Sequence, residues 1–397
     1  MAGKRDTKVE TRLEAELLLC FARTFQDEET RLRREALLKQ KVDWDYLLEL
    51  ALRHRVMPLL YRHLNSFCPE AIPAQFMERL RDYFYLNAAR NHLLTEALCE
   101  ALELFESSGI NCVPYKGPVL AKRLYGDAAY RQFSDLDIFI RAKDVARASE
   151  LLRLHGYRRE IELASALEAA FLKVGCEHMF KRERGRVFLE LHWGFAPTYF
   201  PLRLNSESMW QRLEPLRIGN TGARTFSVED LLLILCLNAG KDFWRELGSL
   251  CDVAQLISTT PELDWEQAIG EATGARMRRM LLTSISLAHE LLGAIIPEHV
   301  IQSIETDRTI GPLASAARQN LFHAERESRE TVSQFLKPAR ALDGLKDRAK
   351  FHSRLALTPT LEDWTFIKLP ASLRFLHYLT RPLRLVKKYL LHQRTNL

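Results

Sequence analysis

The sequence lacks any closely spaced pair of cysteines. Its seven cysteines are widely spaced, their number is odd, and no CxxC pair occurs. This pattern argues against a structural zinc site and against a disulfide framework. It predicts free, largely buried thiols in a reducing compartment.

The sequence also lacks an apolar run of the roughly 20 residues that a transmembrane helix needs. The apolar segment LLLILCL at 231–237 is far too short. Near the N-terminus, Arg12, Glu14 and Glu16 interrupt the apolar core that a signal peptide requires. We therefore predict a cytoplasmic protein.

The sequence has only a slight excess of positive charge. With 57 Lys and Arg against 51 Asp and Glu, the net charge is +6, which permits anionic partners but selects none. No recognisable nucleic-acid motif accompanies it. Residues 381–394 hold much of the local excess, including Arg381, Arg384, Lys387 and Lys388. This basic amphipathic segment fits either peripheral contact with an anionic membrane or, as we prefer, a solvated helix packed on the protein.

The chain has 397 residues, of which 47% are hydrophobic and 27% charged, as in a globular protein of two or three domains. We find neither an internal repeat nor a low-complexity tract. We predict an N-terminal helical region (1–108), an α/β core (109–200) and a C-terminal helical region (201–397). Helical spacing is expected at 8–39, 42–64, 72–109, 227–257, 264–294 and 310–327.

Local signals mark where several of these helices begin and end. Asp43 is a candidate N-cap, and a second helical piece is expected after Pro58. Gly109 is placed to end the long helix at 72–109. Ser227, with Asp230 three residues later, is an Asp variant of the capping box.

The core combines short strands with two helices. We predict strands at 110–115 and 135–140 and a hairpin at 176–193, which makes about four strands. A tight turn leads into a helix at 116–127, and a second helix, at 142–157, ends at Gly156. The stretch 328–350 is interpreted as a loop or an exposed helix, and the stretch 357–370 as a loop.

Two pairs of polar residues fall on these predicted strands. Asp135 and Asp137 are two apart, so their side chains share one face. Glu190 and His192 share a face of the later hairpin. Convergence of Glu190 with the aspartates would make the oxygen-rich site that Mg²⁺ prefers, with Mn²⁺ as an alternative, and the ion would cancel the carboxylate repulsion.

Lys116 and Gly117 come between a strand and the start of a helix. Free backbone amides and the positive end of the helix dipole suit phosphate there, and Gly117 allows close approach. Arg131 can pair with an aspartate or grip phosphate.

These residues carry a family resemblance. KGPVLAKRLYGDAAYRQFSDLDIFI (116–140) with LELHW (189–193) resembles the bacterial family of uncharacterised nucleotidyltransferases, within the polymerase-β-like superfamily. The likeness spans most of residues 42–260. It implies a small mixed sheet flanked by helical regions, with Asp135, Asp137 and Glu190 as metal ligands and Lys116–Gly117 as the phosphate loop. The wider superfamily usually has Gly-Ser at this turn, so the phosphate grip is expected to differ.

The roles of several other residues stay open. His192 is either a substrate-side base or a structural histidine beside Trp193, whereas His178 is interpreted as structural or surface. Lys241 and Asp252 either line the acceptor side of a cleft or pair locally. Trp244 is interpreted as a core residue.

The predicted activity is transfer of a nucleotidyl group from an NTP, with ATP favoured, to a hydroxyl or phosphate. The acceptor class (small molecule, sugar, peptide or protein) and the oligomeric state are not predicted. One alternative is a non-catalytic nucleotide-binding or scaffold protein on a degenerate fold. Another is a phosphotransferase that uses the same metal site and releases ADP.

Overall fold

The computed structural model describes residues 12–23, 27–67, 72–182, 185–323 and 336–360, together with 363, 381 and 384. Within these residues the protein has a mixed α/β fold, which confirms the predicted fold class. A five-stranded mixed sheet is flanked by helices on both sides in sequence.

Five helices precede the sheet. They are α1 (Leu13–Ala22), α2 (Glu28–Leu38), α3 (Trp44–Arg53), α4 (Met57–Phe67) and α5 (Ala74–Ser107). Asp43 caps α3 as predicted, because its carboxylate accepts a hydrogen bond from the Tyr46 amide at 3.0 Å. The second piece begins at Met57, one residue before Pro58. Gly109, at φ +66°, follows the end of α5 as predicted.

The sheet has the strand order β1-β2-β5-β4-β3. Its strands are β1 (Cys112–Pro114), β2 (Leu136–Ile140), β3 (Arg158–Arg159), β4 (Glu177–Arg182) and β5 (Val187–His192). β2 and β5 run parallel, whereas the other neighbours are antiparallel. The helices α6 (Pro118–Tyr125), α7 (Val145–Leu154) and α8 (Ser165–Val174) lie between strands in sequence. The predicted strands and hairpin are confirmed, and β3 and α8 are additions.

A second sheet follows that the periodicity did not predict. After α9 (Ser206–Gln211), the strands β6 (Glu214–Ile218) and β7 (Thr221–Thr225) form an antiparallel hairpin. Its alternation is weak because Glu214, Thr221 and Thr225 occupy positions on the less exposed face. Thr225 Oγ1 donates to the Pro114 carbonyl at 2.8 Å, so this hairpin is tied to β1.

After this hairpin the C-terminal region is helical, and the helix predicted at 227–257 needs correction. Its helices are α10 (Val228–Lys241), α11 (Leu247–Thr259), α12 (Trp265–Gly274), α13 (Arg278–Leu292), α14 (Glu298–Thr306), α15 (Ile310–His323) and α16 (Leu345–Leu357). The predicted helix at 227–257 is broken, because Phe243 and Trp244 take positive φ angles of 52° and 48°. Ser227 Oγ accepts from the Asp230 amide, but the Asp230 carboxylate pairs with Arg212, so only half of the capping box forms.

Helix α5 joins two hydrophobic clusters. Phe76 and Leu80, in its first half, belong to a large cluster shared with the N-terminal helices and α10 to α15. Leu94 and Phe105, in its second half, belong to a cluster beneath the sheet. At about 1.5 Å per residue, its 34 residues span about 51 Å. The division at 108/109 and 200/201 remains a proposal.

Some sequence predictions fall outside the described residues. These are the residues 8–11, 324–335 and 361–362, the turn residues 183–184, Cys68, and most of 364–397, including Lys387 and Lys388. Arg381 is buried and pairs with Asp363, which Arg384 also contacts. These contacts tie the two arginines to Asp363, and the choice between a packed helix and membrane contact stays a prediction. No helix in the described part of the chain is long and apolar enough to cross a membrane.

Candidate metal and nucleotide site

Four acidic and imidazole side chains meet on one face of the sheet. Asp137 of β2 lies opposite Glu190 of the parallel strand β5. His192 follows two residues after Glu190, and Glu177 of β4 lies opposite His192. Partners in register point to the same face, and so do residues two apart. The local strand pattern and the register together therefore assemble this group.

His192 lies at the centre of the group. Its Nε2 is 3.2 Å from Asp137 Oδ1 and 3.3 Å from Glu190 Oε2. Its Nδ1 is 3.2 Å from Glu177 Oε2. Asp137 and His192 are both buried. One imidazole thus bridges carboxylates from three strands.

Lys116 supplies the second positive charge. Its Nζ donates to Asp137 Oδ1 at 2.8 Å, and its side chain is 22% exposed. The burial of two charges is tolerated where the partners are close and hydrogen-bonded. Lys116 and the His192 imidazole therefore offset part of the carboxylate charge at this edge.

The pKa shifts follow from this arrangement. Burial opposes a charge on His192, but hydrogen bonds to Asp137, Glu177 and Glu190 outweigh it and raise the His192 pKa well above its usual value. Burial would raise the pKa of Asp137, but Lys116 and His192 hold it below its usual range. Burial likewise opposes the charge of Glu177, yet the His192 hydrogen bond lowers its pKa to about 2.

The group fits a divalent cation. One ligand atom each from Asp137, Glu190 and His192 lie within 4.8 Å of one another. Two carboxylates and an imidazole are a donor set that divalent ions accept in proteins. Sequence reasoning assigned Asp137 and Glu190 to this centre and left His192 open.

Asp135 lies just before the first residue of β2 and is outside that trio. Burial raises the pKa of Asp135, as do the charges of Asp137 and Glu190, so it lies in their electrostatic field. The structure therefore places Asp135 beside the centre, and its role as a ligand stays a prediction.

The turn before α6 has the backbone that the sequence predicted. Gly117 has φ +53°, and a Cβ at this position would meet the Asp135 carbonyl oxygen at 2.9 Å. Pro118 takes the first helical position. Only glycine lets the turn lie this close to Asp135. The turn, the N-terminus of α6 and Lys116 are thereby held next to the carboxylates.

Arg131 and Asp252 are engaged with each other. Arg131 Nε and Nη2 donate to the Asp252 carboxylate at 3.0 and 2.8 Å, and the Tyr125 hydroxyl donates to it at 3.0 Å. They line a shallow cleft, with Arg55, Glu246 and Ser249 also in its wall. This long-range pair ties α11 to the segment before Asp135.

The remaining residues singled out in the sequence have different environments. Lys241 Nζ donates to the Phe195 carbonyl at 2.8 Å, and burial lowers the Lys241 pKa. Trp244 is a core residue as predicted, since it is buried and its Nε1 donates to Ser284 Oγ. His178 is structural: it is buried, with Nε2 at 2.7 Å from Glu168 Oε1.

Glu177 is the residue that sequence reasoning missed. The only available signal was its place in the predicted hairpin, since correct pairing puts it opposite His192. Register depends on the exact turn, and an error of one residue would have placed Glu177 on the other face.

Comparison with known families agrees with this geometry. The chain matches the family described as uncharacterised nucleotidyltransferase over residues 40–293. It therefore belongs to that family, as the sequence resemblance predicted. No curated protein and no solved structure matches it.

Proposed function

We propose that the chain is a metal-dependent nucleotidyltransferase that moves a nucleotidyl group from an NTP to a hydroxyl or phosphate acceptor. ATP is the first candidate donor. Family membership supports nucleotidyl transfer in general. The observation that carries the proposal is that Asp137 and Glu190 meet on neighbouring strands directly beside the Lys116–Gly117 turn.

The proposed ligands are Asp137 and Glu190, with Asp135 as the flanking carboxylate. A bound Mg²⁺ or Mn²⁺ would neutralise triphosphate charge and favour deprotonation of the acceptor. Lys116 already places an ammonium group on Asp137 Oδ1. We expect its partly exposed side chain to exchange Asp137 for a phosphate oxygen when the substrate binds.

The turn would hold the leaving group. Gly117 lies against the Asp135 backbone, and its amide would donate to the β- and γ-phosphates. Pro118 has no N–H and the Val119 amide donates to the Lys116 carbonyl, so the start of α6 would contribute mainly its dipole. Arg131 is a weaker candidate for this role, because Asp252 already takes its Nε and Nη2.

The proposed step forms one bond and breaks another. The acceptor oxygen attacks the α-phosphorus, and the bond from that phosphorus to the bridging oxygen breaks, releasing pyrophosphate. Glu190, whose side chain is 17% exposed, takes the acceptor proton. Lys241 and the cleft beside Asp252 are candidates for the acceptor side.

A second candidate is a non-catalytic nucleotide-binding or scaffold protein. The ion pair between Lys116 and Asp137 favours it, because a protein cation already occupies the carboxylate. The missing serine at the turn points the same way. This candidate binds NTP without releasing pyrophosphate, whereas a phosphotransferase would release ADP.

Location and membrane contact are also proposals. The widely spaced free thiols support a cytoplasmic location. Peripheral membrane contact through 381–394 has no support from the buried Arg381.

The first experiment is calorimetric titration of ATP, with and without Mg²⁺, into wild type and the Asp135→Asn/Asp137→Asn variant. We expect metal-dependent binding in wild type and its loss in the variant, without loss of the circular dichroism spectrum. Asp82→Asn, a neutralised exposed carboxylate on α5, is the matched control. Binding that is unchanged in the double variant would contradict the proposed site.

Turnover is tested by pyrophosphate release with a panel of hydroxyl acceptors. The single variant Asp137→Asn should abolish it while remaining folded. Retained turnover in this variant would refute the assignment, and binding without any product in wild type would favour the scaffold.

A further inference from the structure

We propose that His192 is itself a metal ligand, that Glu177 is the positioning residue that holds its ring, and that the centre prefers a first-row transition ion to Mg²⁺. This inference rests on the proposed function, since it concerns the same centre. It adds a nitrogen ligand and a metal preference that an all-carboxylate site would not have.

The orientation of the imidazole supports the first part. Nε2 faces the two carboxylates, at 3.2 Å from Asp137 Oδ1 and 3.3 Å from Glu190 Oε2. The ring is buried, and it lies edge-on to the Tyr115 ring at 5.6 Å between centroids. A ring packed in this way has little freedom to turn its nitrogen elsewhere. Ligation requires that Nε2 release its proton to solvent as the ion enters.

Glu177 supports the second part. Its Oε2 lies 3.2 Å from Nδ1, the ring nitrogen on the side opposite Asp137 and Glu190. Histidines that ligate metals usually donate their other N–H to a carboxylate or carbonyl, which fixes the tautomer and raises ligand basicity. The register of β4 and β5 places Glu177 directly opposite His192. Glu177, His192 and Asp137 therefore lie on the three neighbouring strands β4, β5 and β2, with His192 in the middle.

The donor set supports the third part. Mg²⁺ demands oxygen ligands and keeps much of its water shell, so two carboxylates and an imidazole suit it poorly. Divalent transition ions accept imidazole nitrogen together with carboxylate oxygen. The preference therefore follows from the replacement of a third oxygen by nitrogen.

The test uses Mn²⁺ as a paramagnetic probe in the full chain. Electron spin echo envelope modulation of bound Mn²⁺ should show coupling to a directly ligated ¹⁴N in wild type and none in His192→Gln. Competition should show wild type binding Mn²⁺ at least about tenfold more tightly than Mg²⁺, with the ratio falling toward one in His192→Gln. Glu177→Gln should weaken Mn²⁺ binding by about 10–100-fold.

Glu160→Gln is the matched control. Glu160 follows β3 directly and pairs with Lys181 of β4, and both side chains are well exposed, so its loss should leave Mn²⁺ affinity unchanged. Absence of ¹⁴N coupling in wild type would overturn the ligand assignment. Equal Mn²⁺ affinities in Glu177→Gln and Glu160→Gln would overturn the positioning role. If His192→Gln fails to fold, the wild-type spectrum still tests the ligand assignment and the Glu177→Gln affinity still tests the positioning role.

Each measurement is made without nucleotide and repeated with a non-hydrolysable ATP analogue. A nitrogen-ligated Mn²⁺ centre in a chain that does not bind the analogue would uphold this inference and overturn the proposed function. Analogue binding with no nitrogen coupling would overturn this inference and leave the proposed function standing.

Discussion

Removal of the Asp252 carboxylate should destabilise the protein by about 3 kcal/mol, because it leaves the Arg131 guanidinium buried without its partner. Asp252 accepts from Arg131 Nε, Arg131 Nη2 and the Tyr125 hydroxyl. The side chains of Arg131 and Asp252 are only 16% and 5% exposed. Loss of one partner of a buried ion pair typically costs about 3–5 kcal/mol. We expect the lower end, since Arg131 keeps some access to water.

The assay is urea unfolding of Asp252→Ala, Arg131→Met and the double variant, followed by circular dichroism. Each single variant leaves one uncompensated buried charge, whereas the double variant leaves none. The double variant should therefore be more stable than the sum of the singles predicts, by about 2–3 kcal/mol. Glu207→Ala, which removes an exposed partner of Arg141, should cost less than about 1 kcal/mol.

Strictly additive single effects would refute this reasoning, and so would an Asp252→Ala cost no larger than that of Glu207→Ala. Either result would show that Asp252 is not held by Arg131 in solution and is free to face a substrate. The same cycle therefore decides between the two roles that the sequence left open for Asp252.

Two further predictions concern the turn and the pH dependence of stability. Gly117→Ala should lower the free energy of unfolding by about 1–3 kcal/mol and weaken ATP binding, because φ is +53° and the new Cβ would meet the Asp135 carbonyl. Gly222→Ala, where a Cβ meets nothing within 4 Å, should change neither stability nor binding. Unfolding and titration of both variants check this, and equal effects would contradict it. Burial and nearby Arg53 lower the pKa of His54 to about 3. Between about pH 6.5 and pH 3 the unfolded chain therefore binds a proton at His54 that the folded protein does not. The free energy of unfolding should fall as the pH drops through this range. His54→Asn should flatten that slope in urea titrations at several pH values, and an unchanged slope would refute the assignment.

The elements that were predicted correctly have local causes. The α3 cap at Asp43 needs only one side chain three residues from the amide that it accepts from. The start of α6 at Pro118 and the glycines near the ends of α5 and α6 depend on backbone preferences of single residues. Such signals act within one turn of chain, so they can be read without knowing the fold.

The missed elements depend on distant partners. The hairpin of β6 and β7 carries Thr221 and Thr225 on its buried face, and it is tied to β1 from more than a hundred residues away. The break after α10 occurs at Phe243 and Trp244, within a stretch predicted to be one helix, and buried Trp244 donates to Ser284 of α13. Helical periodicity alone cannot show that packing against another helix outweighs continuation of the first.

For the candidate site, the sequence by itself determined which chemical groups are available and which of them share a strand face. Alternation put Glu190 and His192 on one face, and the Lys-Gly-Pro order predicted the turn. Its pairing of Asp135 with Asp137 stays a prediction, because Asp135 lies just before β2. Only the tertiary structure decided which strands are neighbours, and thus that Asp137 faces Glu190 and that Glu177 holds His192. The physical reason is that strand order and register are set by burial across the whole sheet, and no single segment of the chain contains that information.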